Sequence, residues 1–267
     1  MEFDAVNLQK HRGNYKPKTV VNALMGAEKA PVTHEVVFSF LIVFLPLTHQ
    51  YNGPGGIVSF GELLLFPFLV AYLIGSFSSA VWIGKWFYKI DVRKQGSGNA
   101  GATNTLRVLG LKPGIVVLLL DAFKGWLAVE LAYLLPIQTN SDFFINYQIV
   151  LAVAVVIGHV FPLYTGFKGG KGVATLVGVI IALVPVEFGI TFLIFAFIFI
   201  CFHYVSLASI ISALAFPFIV IFWEPNPPIA LVIFSILLGI FIPLTHKKNI
   251  QRLCKGTESK IWFKKKH

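Results

Sequence analysis

The 267-residue chain has only two cysteines, few charges and a shortage of acid. Cys201 and Cys254 fit no metal-ligand spacing, and no metal or cofactor is expected. A disulfide between them is not expected either, because Cys254 lies in a basic tail expected in the cytosol. Charged residues make up 13% of the chain, about half of what a soluble domain carries. Alternating strands of about ten residues are lacking, so an outer-membrane barrel is not expected. The polar, mixed-charge N-terminus does not read as a cleavable signal peptide. What is present in quantity is apolar: 56% of residues, in long runs. The fold class expected is therefore an all-α polytopic membrane protein.

Lys and Arg number 22 against 12 Asp and Glu, a net charge of +10. Such an excess suits a cytosolic membrane surface or anionic substrates. Nucleic acid is not an expected partner, because the basic residues are scattered between apolar runs. The main runs are 62–88, 115–135, 143–164, 173–185, 187–203, 205–223 and 229–245, after a weaker one at 36–48. The fourth has about 13 residues, which rise only ~20 Å as a helix.

Charge sets the orientation. The linkers 50–61, 136–142, 185–187 and 224–228 contain no Lys or Arg. Lys89, Arg93, Lys94, Arg107 and Lys112 fall in linker 89–112, and Lys168 and Lys171 in loop 165–172. Eight more basic residues follow Thr245. These stretches are expected to face the cytosol. An even number of crossings must then separate loop 165–172 from the tail, which requires 173–203 to be two spans. The count is seven, with 36–48 either a short eighth crossing or a segment lying flat on the membrane.

That topology gathers the polar motifs on one face. The first is Gly96-Ser97-Gly98-Asn99-Ala100-Gly101-Ala102-Thr103-Asn104, followed by Arg107. Its Gly-x-Gly-x-x-Gly spacing matches a dinucleotide fingerprint, but no strand precedes it. Local physics predicts a short helix capped by Asn99 and ended by Gly110, with Thr103 and Arg107 on one face. An anion at its start meets free N–H groups; the alternative is a solvated linker. The second motif is Phe167-Lys168-Gly169-Gly170-Lys171-Gly172-Val173-Ala174-Thr175. It lacks the hydroxyl of a Walker loop, yet places two cations at the start of a span; the alternative is positive-inside anchoring. Asp121 and Lys124, three apart within a span, are expected to pair. His159 is expected to be a structural, hydrogen-bonded residue. Ser206 and Ser209 share a helix face near the inner end of their span. In the tail, His246, Asn249 and Arg252 recur every three residues and share a face if helical; a polybasic surface helix is the alternative.

These stretches, in this order, resemble the bacterial acyl-phosphate:glycerol-3-phosphate acyltransferases, the PlsY family. The resemblance runs from about residue 62 to the C-terminus and includes Gly158-His159-x-Phe161-Pro162, Asp121-Ala122-Phe123-Lys124-Gly125 and the tail to Lys260. It implies two parts: residues 1–60, an extension that the usual member lacks, and 61–267, an integral-membrane acyltransferase domain of seven spans. It implies transfer of a fatty acyl group from acyl phosphate to sn-glycerol 3-phosphate, giving lysophosphatidate and phosphate in phospholipid biosynthesis.

The implied catalytic residues are Ser97, Arg107 and Lys171. Gly98, Asn99, Gly101, Thr103, Asn104, Lys168, Gly169 and Gly170 are implied in substrate binding, with one of Ser206 and Ser209. His246 and Asn249 are implied near glycerol 3-phosphate. Asp121, Lys124, His159 and Glu258 support the site, with Glu258 holding the tail. The implied location is the bacterial inner membrane, multi-pass, with the site facing the cytosol and coupling to the enzyme that makes acyl phosphate. An acyl phosphate is already activated, so direct attack by the glycerol hydroxyl needs no protein nucleophile. No Ser-His-Asp order stands out, and no histidine has an aspartate five positions later, so acyl-CoA and acyl carrier protein are not the expected donors. Two rival classes are a transporter of a phosphorylated solute and an inert scaffold. The transporter predicts polar groups on both faces or through mid-membrane, and the scaffold leaves the glycine loops unexplained.

Overall fold

The structure is a computed structural model that describes residues 50–53, 56–135, 138–139 and 141–261. All of them belong to one compact unit, Val43–His267. The segment 36–48 and the extension up to residue 49 lie outside the described residues.

A short antiparallel hairpin opens the described chain, with β1 (Gln50–Gly53) pairing β2 (Gly56–Ser59). It is a small addition to the all-α architecture expected. The turn-forming run from Asn52 to Gly56 supplies the reason. Among the described residues, every regular element after it is a helix.

Helix α1 (Phe60–Ser76) is followed by α2 (Ser79–Tyr88), the axes bent by 43°. The sequence reads 62–88 as one run, and the break has a distant cause. The Lys124 ammonium donates to the carbonyls of Gly75 (3.2 Å) and Phe77 (2.9 Å), capping α1 where its own ladder stops. The short helix α3 (Ala102–Leu109) leads into α4 (Leu111–Glu130) through Gly110, whose φ of 101° favours glycine. Next come α5 (Asp142–Val160), α6 (Val173–Leu183), α7 (Pro185–Phe202), α8 (Val205–Trp223), α9 (Ile229–Thr245) and α10 (Lys247–Cys254).

Among the described residues, three helices, those at 142–165, 185–202 and 205–223, are long and apolar enough to cross a bilayer, or up to five with each bent pair counted as one span. Two expected crossings fall outside that count for physical reasons. α6 has only 11 residues. In α4, Asp121 and Lys124 lie in every 18-residue stretch, together with Lys112 or Glu130. Inside α4 that charge is hidden: Asp121 is 1% and Lys124 5% exposed. Their side chains pair at 2.9 Å, as expected from the spacing, and Ser79 donates to the same carboxylate at 2.9 Å.

Glycine allows the helices to approach. A Cβ on Gly178 of α6 would run into the Ala122 carbonyl of α4, and one on Gly125 of α4 into the Thr175 carbonyl of α6. Small residues drive helix contact where lipid tails remove the hydrophobic incentive. Leu119, Phe123, Leu193, Phe197, Ile200 and Phe222 turn outward as an apolar belt that suits lipid. The Gly178→Ala variant should lose stability on the order of 1–3 kcal/mol. Gly189→Ala, where a Cβ meets nothing within 4 Å, should be neutral. Thermal unfolding in detergent measures both.

Candidate functional site

The first glycine loop is shaped from within. Asp91 caps the 3-10 turn Val92–Lys94, accepting from the Arg93 N–H at 3.0 Å. Asn104, 1% exposed, donates to the carbonyls of Val92 (2.7 Å) and Gln95 (3.1 Å). Its amide oxygen accepts from the Ser97 N–H (2.7 Å) and hydroxyl (3.1 Å). Asn104 is thus a shaping residue whose amide is engaged inside the loop. The helix cap is corrected. Gly101, not Asn99, precedes α3, because Gly98 closes a turn onto the Gln95 carbonyl (3.0 Å) and leaves residues 99–101 outside the helix. Gly101 is the N-cap and Thr103 stands in the first turn, whose N–H groups have no helical acceptor. Ser97 and Gly98 are exposed, and Asn99 half-buried.

The second loop folds back on α5. The Gly169 N–H donates to the Val160 carbonyl (3.1 Å), and the Gly170 N–H to that of His159 (3.2 Å). Those two donors hold the loop against α5. Gly170 is also needed for contact, since a Cβ there would strike the His159 ring and the Ala100 carbonyl. His159 is buried, and its Nδ1 lies 3.9 Å from Asp121 Oδ1 with no hydrogen-bond partner, unlike the bonded histidine expected. Lys168 is exposed at the rim, and Lys171 turns inward.

The two loops and the tail meet at Glu258, 6% exposed. Its Oε1 accepts from Asn249 Nδ2 (2.8 Å) and Ser206 Oγ (3.1 Å), and its Oε2 from Arg252 Nε (2.6 Å). An Arg107 terminal nitrogen stands 3.6 Å from the same carboxylate, while Arg107 Nε is buried without a partner. Lys171 donates to Asn249 Oδ1. Four separated stretches therefore supply one cluster. Ser206 belongs to it, whereas Ser209 donates back to the Val205 carbonyl of its own helix (2.9 Å). Arg252 shares a helical face with Asn249 as its spacing suggested, but its place beside Glu258 was not foreseen.

Electrostatics follow from burial and partners. Burial opposes charge on Glu258, but hydrogen bonds from Arg252, Asn249 and Ser206 outweigh it and hold the carboxyl below its ordinary range. Burial pushes the Lys171 ammonium down to about 8, against the pull of Glu258, with Arg252 and Arg107 adding to the fall. Burial also lowers His246 to about 4, helped by Lys171. His246 is thus neutral at pH 7. Its Nδ1 faces the Ile242 carbonyl at 2.8 Å, so that nitrogen carries the proton and Nε2 the lone pair. Arg107, Lys171 and Arg252 against one carboxylate leave net positive charge.

A family model described as "Glycerol-3-phosphate acyltransferase" matches residues 65–256. The chain belongs to that family. A glycerol-3-phosphate acyltransferase of Enterococcus faecalis is 46% identical over 202 residues, covering 73% of this chain and 90% of its own. One from Listeria welshimeri is 42% identical over 193 residues, covering 72% and 94%. The crystal structure of PlsY, an integral membrane glycerol 3-phosphate acyltransferase, in its glycerol 3-phosphate form is 36% identical with a TM-score of 0.67. The match covers 75% of this chain and 96% of that one. The lysophosphatidic acid form is 34% identical with a TM-score of 0.63, over 75% and 96%. With its apolar helices, the chain is an integral membrane member of the PlsY family. Glu258 lies two residues past the matched range, yet Arg107, Ser206, Asn249 and Arg252 inside that range meet it.

Two outcomes are expected of the site. If the charged Lys171 ammonium serves an anion, kcat/KM falls as pH rises through about 8, where the proton is lost. Lys171→Arg should move that limb to higher pH, and no limb from His246 should appear near 6.5, since its value is about 4. A pH–rate series on both proteins checks this. Ser206→Ala should lower kcat/KM by about tenfold, as for one lost charge-assisted hydrogen bond, while Ser209→Ala leaves it nearly intact. Steady-state kinetics on the pair reads the difference.

Proposed function

We propose that this protein moves a fatty acyl group from acyl phosphate to the 1-hydroxyl of sn-glycerol 3-phosphate. The products are lysophosphatidate and inorganic phosphate, and the setting is phospholipid biosynthesis. The observation that carries the reading is the convergence of Arg107, Lys171, Arg252, Ser206 and Asn249 on one buried cluster in a member of this family. Two anionic substrates that must touch need that concentration of cations and donors.

The glycerol oxygen forms a bond to the acyl carbon, and the bond from that carbon to the phosphate oxygen breaks. Ser97, Arg107 and Lys171 act on the phosphate of the donor as charge moves onto it. Asn249 and the lone pair on His246 Nε2 orient the acceptor. The hydroxyl proton passes to a substrate phosphate oxygen; holding both substrates in register is the main work of the protein. Glu258 keeps the tail and the cations in place and takes no part in bond making.

The same convergence supports seven spans. Arg107, Lys171, Ser206 and Asn249 reach one cluster, so each consecutive pair is separated by an even number of crossings. α4 and α5 separate the first pair, α6 and α7 the second, α8 and α9 the third. With α1–α2 as one bent span the total is seven. We place the cluster on the cytosolic face of the bacterial inner membrane, by the excess of Lys and Arg in its loops. Residues 61–267 form the acyltransferase domain, 1–60 an extension, and an enzyme that makes acyl phosphate the functional neighbour.

The test is product formation in detergent, where no compartments exist to be crossed. Labelled glycerol 3-phosphate is offered with acyl phosphate, acyl-CoA or acyl carrier protein in turn. Lysophosphatidate is expected from acyl phosphate. Faster transfer from acyl-CoA would overturn the donor assignment, and no transfer from any donor would overturn the enzyme.

A further inference from the structure

A second charged assembly joins the two glycine loops. Asp91 and Arg93 lie in the first, before Gly96. The guanidinium meets the Asp91 carboxylate through two parallel contacts, Nε to Oδ1 at 3.0 Å and one terminal nitrogen to Oδ2 at 2.8 Å. That fork leaves the other terminal nitrogen, Nη1, aimed across the gap. It donates to the Thr165 carbonyl at 2.8 Å and reaches the Lys168 carbonyl at 3.4 Å. The partners are 72 and 75 residues away.

Those two carbonyls bracket an unusual turn. Between them, Gly166 (φ 70°) and Phe167 (φ 58°) both adopt the left-handed conformation, which a residue with a side chain avoids. Two residues further on, Gly169 and Gly170 dock on the end of α5, and Lys171 follows. On the first-loop side, Asn104 fastens the carbonyls of Val92 and Gln95 on either side of Arg93 and holds Ser97. A continuous polar chain thus runs from Ser97 through Asn104 and the 92–95 backbone to Arg93, and across to the loop that carries Lys171. The hydrogen bonds from Arg93 hold the Asp91 carboxyl down at about 2, so the pair stays charged through the working range of pH.

We infer that Arg93, oriented by Asp91, is a positioning residue that fixes the register of the two glycine loops and hence the placing of Ser97 and Arg107 against Lys171 around the donor phosphate. The inference rests on the function proposed above. Each loop can present its own groups without the bridge. What the bridge sets is the distance between those groups across the donor phosphate, and misplacement by about 1 Å costs on the order of 10²-fold in rate. The defect should therefore fall on kcat. A lysine supplies charge, but a single ammonium cannot grip a carboxylate in a fork and reach two carbonyls at once.

The experiment is steady-state kinetics in detergent for wild type, Arg93→Gln, Arg93→Lys, Asp91→Asn and the double variant, varying acyl phosphate and glycerol 3-phosphate in turn. Arg93→Gln and Arg93→Lys should both lower kcat by about 10²-fold, with each KM within about threefold of wild type. Asp91→Asn should lower kcat less, and the double variant no further than Arg93→Gln alone. A lysine variant with wild-type kcat would overturn the inference, since charge alone would suffice. So would a raised KM at unchanged kcat, or additive losses in the double variant. Asp91→Asn keeps the guanidinium and decides by the same split should Arg93→Gln not fold, and wild-type kcat in it overturns the coupling. Hydrogen exchange at the amides of Phe167, Gly169 and Gly170 should quicken in every variant. That readout needs no turnover, so a wild type inert with all donors sinks the proposed function while the exchange still judges the bridge.

Discussion

One buried carboxylate organises the polar face of this protein. Glu258 is almost wholly out of solvent, and a lone charge there would be expensive. It is tolerated because α8 brings Ser206, α10 brings Asn249 and Arg252, and α3 brings Arg107 close by. Each of those helices must then end where it does. α10 bends 61° away from α9, which turns Asn249 and Arg252 toward the carboxylate. The tail is fastened on both sides of Glu258, by Thr257 N–H to the Arg252 carbonyl (2.8 Å) and Ile261 N–H to the His203 carbonyl (3.0 Å). Once the carboxylate is seated, the cations stand in place before any ligand arrives, which is the arrangement that electrostatic catalysis needs.

A second charge layer lies in the apolar interior. The Lys124 ammonium neutralises Asp121 and also caps the broken end of α1, so one side chain solves two problems that lipid makes costly. His159 stands between that layer and the second glycine loop, with Asp121 on one side and Gly170 on the other. The loop that carries Lys171 is therefore supported from within the bundle as well as from Glu258 through Asn249.

Features set by near neighbours in the chain were legible from sequence. The Asp121–Lys124 pair, the stop at Gly110, the helices at 205–223 and 229–245, and the shared face of Asn249 and Arg252 all depend on residues a turn or two apart. Features set by distant partners were not. The break after Ser76 is made by a lysine 47 to 49 residues on. The choice of Ser206 over Ser209 is made by a carboxylate 52 residues away. Arg93 reads locally as one more cytosolic cation, and its partner carbonyls belong to a loop beyond two further long helices. The cap at Asn99 failed for a nearer reason, since the left-handed Gly98 carries the chain away before the helix begins.

The glycines also serve a purpose other than the one their pattern suggests. Gly96 and Gly170 let backbone lie against Asn104 and the His159 ring, and the N–H groups of Gly98, Gly169 and Gly170 are occupied by carbonyls of the protein. In the function proposed above, an anion here is met chiefly by side-chain charge. For the proposed reaction that has a consequence for turnover. Three cations alone would hold a released phosphate as firmly as a reacting one, and binding that does not discriminate between the two adds nothing to kcat. Glu258 competes for Arg107 and Arg252, and its partner Asn249 competes for Lys171, so the site is never fully unpaired. Ground-state affinity is lowered on this account, while the charge that develops as the acyl–phosphate bond breaks still meets prearranged cations.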